Sequence, residues 1–206
     1  MNFQFIESVL VLSLFLGYLV LWRLKKRNMV EQDGTNPEVI YKDTLPTQKL
    51  FGNILRVLSV SILPLIILHG ADVKNIFGFS RMQILNYETF TTIGFIIGLI
   101  GLLLCWKAQR EMQDSWRVGI DRKKPTKLVT TGVFKYIRNP TYSGIYLICA
   151  GSFIIFPTTW FLIWTIVFYI SIEFQVRIEE EYLSESHGEQ YSKYYSTTKR
   201  YLPFLY

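Results

Sequence analysis

Arg138-Asn139-Pro140-Thr141-Tyr142-Ser143-Gly144-Ile145-Tyr146-Leu147-Ile148-Cys149-Ala150-Gly151-Ser152-Phe153-Ile154-Ile155-Phe156-Pro157-Thr158-Thr159 is the stretch on which the fold turns. A polar loop ends at Arg138, and an apolar run begins at Tyr142 and lasts to Phe156. After Pro157-Thr158-Thr159, which reads as a tight turn, a second apolar run continues to Ile172. Each run falls short of the ~20 residues a spanning helix needs, and flanking residues extend both. The pattern predicts a helical hairpin over 140–174 with its tip near the outer membrane face. Asn139 can cap its first helix by accepting a bond from the free N–H groups, and Pro140 suits the first helical position. A hairpin returns the chain to the face it left. Arg138, Asn139, Tyr142, Glu179 and Glu180 can then meet in one place.

Three longer apolar runs precede the hairpin, over about 3–22, 50–69 and 89–106. With 50% hydrophobic, 16% aromatic and 18% charged residues, the chain is poorer in charge than the ~25% of soluble proteins. The expected class is an all-α integral membrane protein of about five transmembrane helices. Residues 1–106 form three spans. Residues 107–206 form a core containing a basic loop, the hairpin and an amphipathic tail rich in tyrosine: Tyr182, Tyr191, Tyr194, Tyr195, Tyr201 and Tyr206. Gly94, Gly98 and Gly101 share one face of the third span and permit close helix packing. Pro64 interrupts the second span, and Arg56 snorkels from it. Glu7 is expected near the outer headgroups, and His69 at the outer end of the second span has no evident partner.

The charge distribution sets an orientation. Nineteen of the 22 Lys and Arg residues fall on alternate loops that share one side. By the positive-inside rule that side is the cytosol, with the N-terminus outside and the C-terminus inside. Arg23, Lys25, Lys26 and Arg27 follow the first apolar run rather than precede it, which excludes a cleaved secretory signal. The same location explains the net charge of +6 without nucleic acid as a partner.

Several chemistries are absent from the sequence. There is no phosphate-binding Gly-x-x-x-x-Gly-Lys loop, no His-Glu-x-x-His pair and no strand-borne dinucleotide fingerprint. The two histidines, His69 and His187, lie on opposite sides in the expected topology, so a Ser-His-Asp triad is excluded. Cys105 and Cys149 sit singly in apolar segments and define neither a disulfide framework nor a metal site. A basic loop, a helix start and a pair of carboxylates at the headgroup boundary remain. A water-soluble cofactor can meet a lipid-embedded acceptor there.

Those residues resemble a known family, the isoprenylcysteine carboxyl methyltransferases and their short prokaryotic-type relatives. The likeness runs through Leu128-Val129-Thr130-Thr131-Gly132-Val133-Phe134, Arg138-Asn139-Pro140-Thr141-Tyr142-Ser143-Gly144, Glu179-Glu180-Glu181-Tyr182-Leu183, His187-Gly188-Glu189-Gln190-Tyr191 and Leu202-Pro203. The resemblance implies a membrane-embedded methyltransferase that uses S-adenosylmethionine, acts on a lipophilic acceptor and needs no metal. It places the cofactor on Leu128, Val129, Gly132, Arg138, Asn139, Pro140, Tyr142, Glu179 and Glu180. It makes Glu179 and Glu180 the catalytic candidates, with Arg177 as a third. The family histidine is Asn139 here. The family arginine four residues before the Glu pair is Gln175, which speaks against a prenylcysteine carboxylate as acceptor; another small lipid or isoprenoid carboxyl, hydroxyl or amine is the other choice. The acceptor is expected to enter from the bilayer between the third span and the hairpin. Two rivals stand beside this reading: a sterol-type reductase using NADPH, whose relatives carry an acid where this chain has Ser143-Gly144-Ile145, and a non-enzymatic membrane protein.

Overall fold

The computed structural model describes residues 2–34, 36–40, 46–73, 77–85, 88–122 and 124–203. Tyr206 lies outside the described residues. Five helices account for most of them: α1 (Phe3–Asp33), α2 (Pro46–Gly70), α3 (Glu88–Met112), α4 (Pro140–Ile155) and α5 (Thr159–Thr197). No strand occurs among the described residues, only isolated bridges such as Ile137 with Lys199. The chain is an all-α membrane protein. Four helices, α1, α2, α3 and α5, are long and apolar enough to cross a membrane. α4 is the exception, apolar but 16 residues long. At 1.5 Å per residue it spans about 24 Å, short of the ~30 Å hydrocarbon layer.

The helix ends follow local chemistry. α1 starts where the Asn2 side chain accepts the Gln4 N–H and stops where Gly34 takes a left-handed conformation. Thr158 caps α5 by accepting the Phe161 N–H, so the hairpin turn doubles as a helix start. α5 does not end near residue 174, as the apolar run does. It continues through the Glu pair to Thr197, broken only at Gly188, where φ is 51° and ψ is −123°. The carboxylates are thereby held on one rigid rod with the membrane-crossing segment.

α3 and α4 pack backbone to backbone. A Cβ at Gly101 would stand 2.5 Å from the Gly144 carbonyl, and one at Gly94 would stand 2.6 Å from that of Gly151. The glycines of the third span therefore serve packing, as expected. Their contact brings α3 and α4 together along this seam, on the side where the acceptor was expected to enter. The sequence shows that small residues allow approach, but not which helix fills the groove.

The far end of the bundle corrects two further expectations. Glu7 is fully buried, not placed among headgroups. Its carboxylate accepts the Thr91 hydroxyl at 2.9 Å, lies 2.9 Å from His69 Nε2 and pairs with Arg81. His69 therefore has a partner, supplied 62 residues away in the chain. A buried carboxylate is tolerable only when paired, and the loop carrying Arg81 folds back over the helix ends to pair it. That loop also holds the hairpin tip: Met82 N–H donates to the Pro157 carbonyl at 2.8 Å and Thr159 N–H to that of Gly78 at 3.1 Å.

At the other end, where most of the basic residues lie, segment 198–203 runs beside the start of α4. The Arg138 and Asn139 N–H groups donate to the Lys199 and Arg200 carbonyls at 2.8 and 3.2 Å. Trp164 fastens α5 to α2, its indole N–H lying 3.1 Å from both the Leu58 carbonyl and Ser61 Oγ.

Candidate functional site

Glu179 and Glu180 are neighbours on α5, and a helix turns ~100° between them, so they face different ways. Glu180 is the centre of a buried clamp. Its Oε1 accepts from Arg138 Nε at 3.1 Å and Asn139 Nδ2 at 2.9 Å; its Oε2 accepts from Arg200 Nε at 3.0 Å and Nη2 at 2.7 Å. Arg138 also donates to the Tyr195 and Thr198 carbonyls, and its guanidinium lies 4.0 Å from the Tyr195 ring centroid. Arg200 reaches Glu173 as well, which accepts from the Tyr201 hydroxyl. The clamp ties α5, the start of α4 and segment 198–203 into one unit.

Asn139 does stand at the N-cap position of α4, with Pro140 at the first helical position, but its side chain makes no capping bond. The amide is turned to Glu180 instead. Its backbone carbonyl still accepts the first helical bond, from Ser143 N–H at 2.9 Å. The pull of a buried carboxylate outweighs a cap that N–H groups facing a cavity do not require.

Glu179 faces that cavity. Its Oε1 accepts from the Tyr142 hydroxyl and from Gln175 Nε2, both at 2.8 Å. Gln175, the residue standing where the resembled family has arginine, is thus a buried donor that orients Glu179. The cavity has a volume of about 270 Å3 and is walled by the loop after α3, the start of α4 and the middle and C-terminal part of α5. Leu128, Val129, Arg138, Asn139, Pro140, Tyr142 and Glu179 all line it.

Three of the residues singled out from sequence are placed elsewhere. Glu180 lies behind the wall, in the clamp. Gly132 is the turn of the loop: its φ is +62°, and a Cβ there would collide with the Glu111 carboxylate, which accepts the Val133 N–H at 2.6 Å. Arg177 has a side chain 56% exposed and pairs with Glu173 at 2.9 Å, one turn away on the outer side of α5.

The cavity also has wall residues that were not assigned to the site from sequence. Trp116 and Arg117 line it, as do Phe134, Thr141, Tyr191 and Tyr194. Two of these carry buried hydroxyls without a partner among the described residues, Thr141 Oγ1 and the Tyr191 phenol. Two more wall residues come from the first helix, Tyr18 and Trp22. No local sequence signal points to them, because the fold alone brings α1 to this place.

A second cavity, of about 680 Å3, lies between α1 and α2 against α4 and α5. Its wall is mostly apolar, from Leu12, Ile62 and Ile66 in the helix midsections to Arg23 and Arg56 at the basic end. The two cavities share wall residues, among them Tyr18, Leu55, Ile145 and Phe168.

The apolar bundle thus encloses, at its basic end, a cavity edged by polar side chains beside a larger apolar one. Residues 89–190, which hold α3, the loop, the hairpin and both glutamates, match the phospholipid methyltransferase family. The chain belongs to that family, among the isoprenylcysteine carboxyl methyltransferase-like membrane methyltransferases. No curated protein sequence matches the chain.

Proposed function

We propose that the chain transfers a methyl group from S-adenosylmethionine to the hydroxyl or amine of a lipophilic acceptor, at the cytosolic face of the membrane. The observation carrying this reading is the cavity at the start of α4, with its unsatisfied groups, sharing a wall with an apolar cavity within the bundle.

The residues present suit the cofactor. The first N–H groups of α4 have no partner within the helix, and such groups favour a carboxylate. Thr141 Oγ1 and the Tyr191 phenol are buried on the same wall without partners and can hold hydroxyls or a carboxylate. Glu179 has its second oxygen available for an ammonium or a ribose hydroxyl. Leu128, Val129, Trp116 and Phe134 give apolar surface for an adenine ring. Arg138, Asn139 and Glu180 would act through the clamp, by fixing the helix start against α5.

When bound, S-adenosylmethionine supplies a methyl group on a sulfonium sulfur, whose bonding pair stays on sulfur as the acceptor's lone pair takes the carbon. This chain's residues orient the two partners and exclude water, which accounts for much of the acceleration in such displacements. A hydroxyl or ammonium acceptor must also lose a proton, and Glu179 is placed to take it. A carboxylate acceptor fits less well, since Gln175 stands where a cation would be needed and is already bonded to Glu179. The acceptor would reach the site through the α1–α2 cavity. A phospholipid, the acceptor for which the family is named, is of this class.

The test is transfer of labelled methyl from S-adenosylmethionine into the organic-extractable lipid of membranes containing the protein. The reading expects label in a lipid, abolished by Tyr142→Ala. Membranes rich in folded protein that incorporate no more label than controls would refute it.

A further inference from the structure

The α1–α2 cavity and the cavity at the start of α4 have a stretch of wall in common, a collar that includes Tyr18, Leu55, Ser59, Ile145 and Phe168. This collar carries no charge. Ser59 donates its hydroxyl to the Leu55 carbonyl one turn back, at 2.7 Å. Tyr142, just beyond, is committed to Glu179 at 2.8 Å. The Tyr18 hydroxyl has no hydrogen-bond partner among the described residues. Tyr18 and Tyr142 both line the cavity at the start of α4. Leu10, Leu12, Phe15 and Leu21 on the same helix pack into the apolar core, so α1 has no freedom to turn Tyr18 elsewhere.

Tyr18 is half-buried and stands on the wall of both cavities, so its hydroxyl, bonded to none of the described residues, is free to take a hydrogen bond from a ligand's polar group. What arrives from the apolar side is a hydrocarbon chain, and what it must present at the collar is its polar end.

We infer that Tyr18 is the residue that holds the polar end of the acceptor, its hydroxyl bonding the acceptor's heteroatom group at the collar while the chain lies in the α1–α2 cavity. The inference rests on the methyltransferase reading above and goes further by assigning a substrate contact outside residues 89–190, the segment that the family match covers. A phenol both donates and accepts, so it suits an alcohol or an amine and offers nothing to select a carboxylate. Tyr142 and Glu179 then sit on the far side of the bonded group, where the proton must leave.

The experiment uses the full chain in detergent and three C16 probes with a mid-chain diazirine: a primary amine, a primary alcohol and an alkane without a head group. Photo-crosslinking is titrated for wild type and Tyr18→Phe, with sites mapped by peptide mass spectrometry. Affinity for S-adenosylhomocysteine is measured in parallel. The expected result is crosslinking at Leu12, Ile62 or Leu63 for all three probes. Tyr18→Phe should raise the half-saturation of the amine or the alcohol about three- to tenfold, the value of one hydrogen bond. The alkane should be unaffected. Equal half-saturation of both polar probes in the two proteins would overturn the inference. So would a matching loss for the alkane, or crosslinks confined to the lipid-facing Leu99 and Leu103 of α3. If wild type fails to bind S-adenosylhomocysteine, the cofactor reading falls by itself, and the probe titrations still decide the role of Tyr18.

Discussion

The Tyr142 hydroxyl donates to Glu179 Oε1 at 2.8 Å, joining the start of α4 to the middle of α5 at the wall of the polar cavity. The next residue, Glu180, turns its carboxylate away from that cavity and into Arg138 and Arg200. Two adjacent acids therefore have different tasks. Glu179 faces what enters, and Glu180 holds the enclosure together.

Substitution should separate these tasks. Glu179→Gln keeps the size and one acceptor oxygen but removes the basic carboxylate. With a hydroxyl or amine acceptor, methyl transfer should fall about 100-fold or more while the thermal midpoint moves little. Initial rates with labelled cofactor, read against a melting curve of the same preparation, check this. A rate within threefold of wild type would show that Glu179 is no base.

Glu180→Ala should behave in the opposite way. It leaves the buried Arg138 guanidinium without its anion and Arg200 with Glu173 alone, and breaking a buried pair costs about 3–5 kcal/mol in comparable sites. The expected result is a marked fall in thermal midpoint and protease cutting near residues 198–203, which the clamp holds down. An unchanged midpoint would contradict the clamp.

Arg177→Ala should be nearly silent. Its side chain is more than half exposed, and its partner Glu173 keeps Arg200. An exposed pair of this kind is worth about 0–1 kcal/mol. Stability and methyl transfer should both stay near wild type. A large loss of transfer would return Arg177 to the catalytic group that its sequence position suggests.

Gly101→Ala tests the α3–α4 seam. The new methyl would meet the Gly144 carbonyl and the Ile148 N–H, both backbone groups that cannot swing aside. Overpacking of this kind costs about 1–3 kcal/mol. Gly17→Ala is the control, since its methyl would meet only the tip of Leu102 at 3.0 Å. The first variant should melt at a lower temperature and the second should not. Equal midpoints would mean that the seam is looser than described.

Much of this was legible in the sequence. Apolar runs and basic loops gave the helices, and the Pro157-Thr158-Thr159 break located the hairpin turn. The meeting of Arg138, Asn139, Tyr142 and the Glu pair followed from the chain reversing direction. What stayed hidden depended on contacts between distant segments. Glu7, His69, Arg81 and Thr91 come from four separate parts of the chain, and no local pattern joins them. Helical periodicity requires that Glu179 and Glu180 diverge, but only the position of segment 198–203, with Arg200, determines which one is enclosed. The capping role assigned to Asn139 failed for a related reason: a local rule met a buried carboxylate from another helix. The α1–α2 cavity was also out of reach, because a cavity is the space that packing leaves, and apolar patterning is the same on either side of it.

The most direct measurement is calorimetric titration of the detergent-purified chain with S-adenosylhomocysteine, beside Tyr142→Ala and Arg177→Ala. The account predicts micromolar binding by wild type and by Arg177→Ala, and its loss in Tyr142→Ala, which lines the cavity. Folded wild-type protein that takes up no S-adenosylhomocysteine, or equal binding by all three, would contradict a cofactor site at the start of α4.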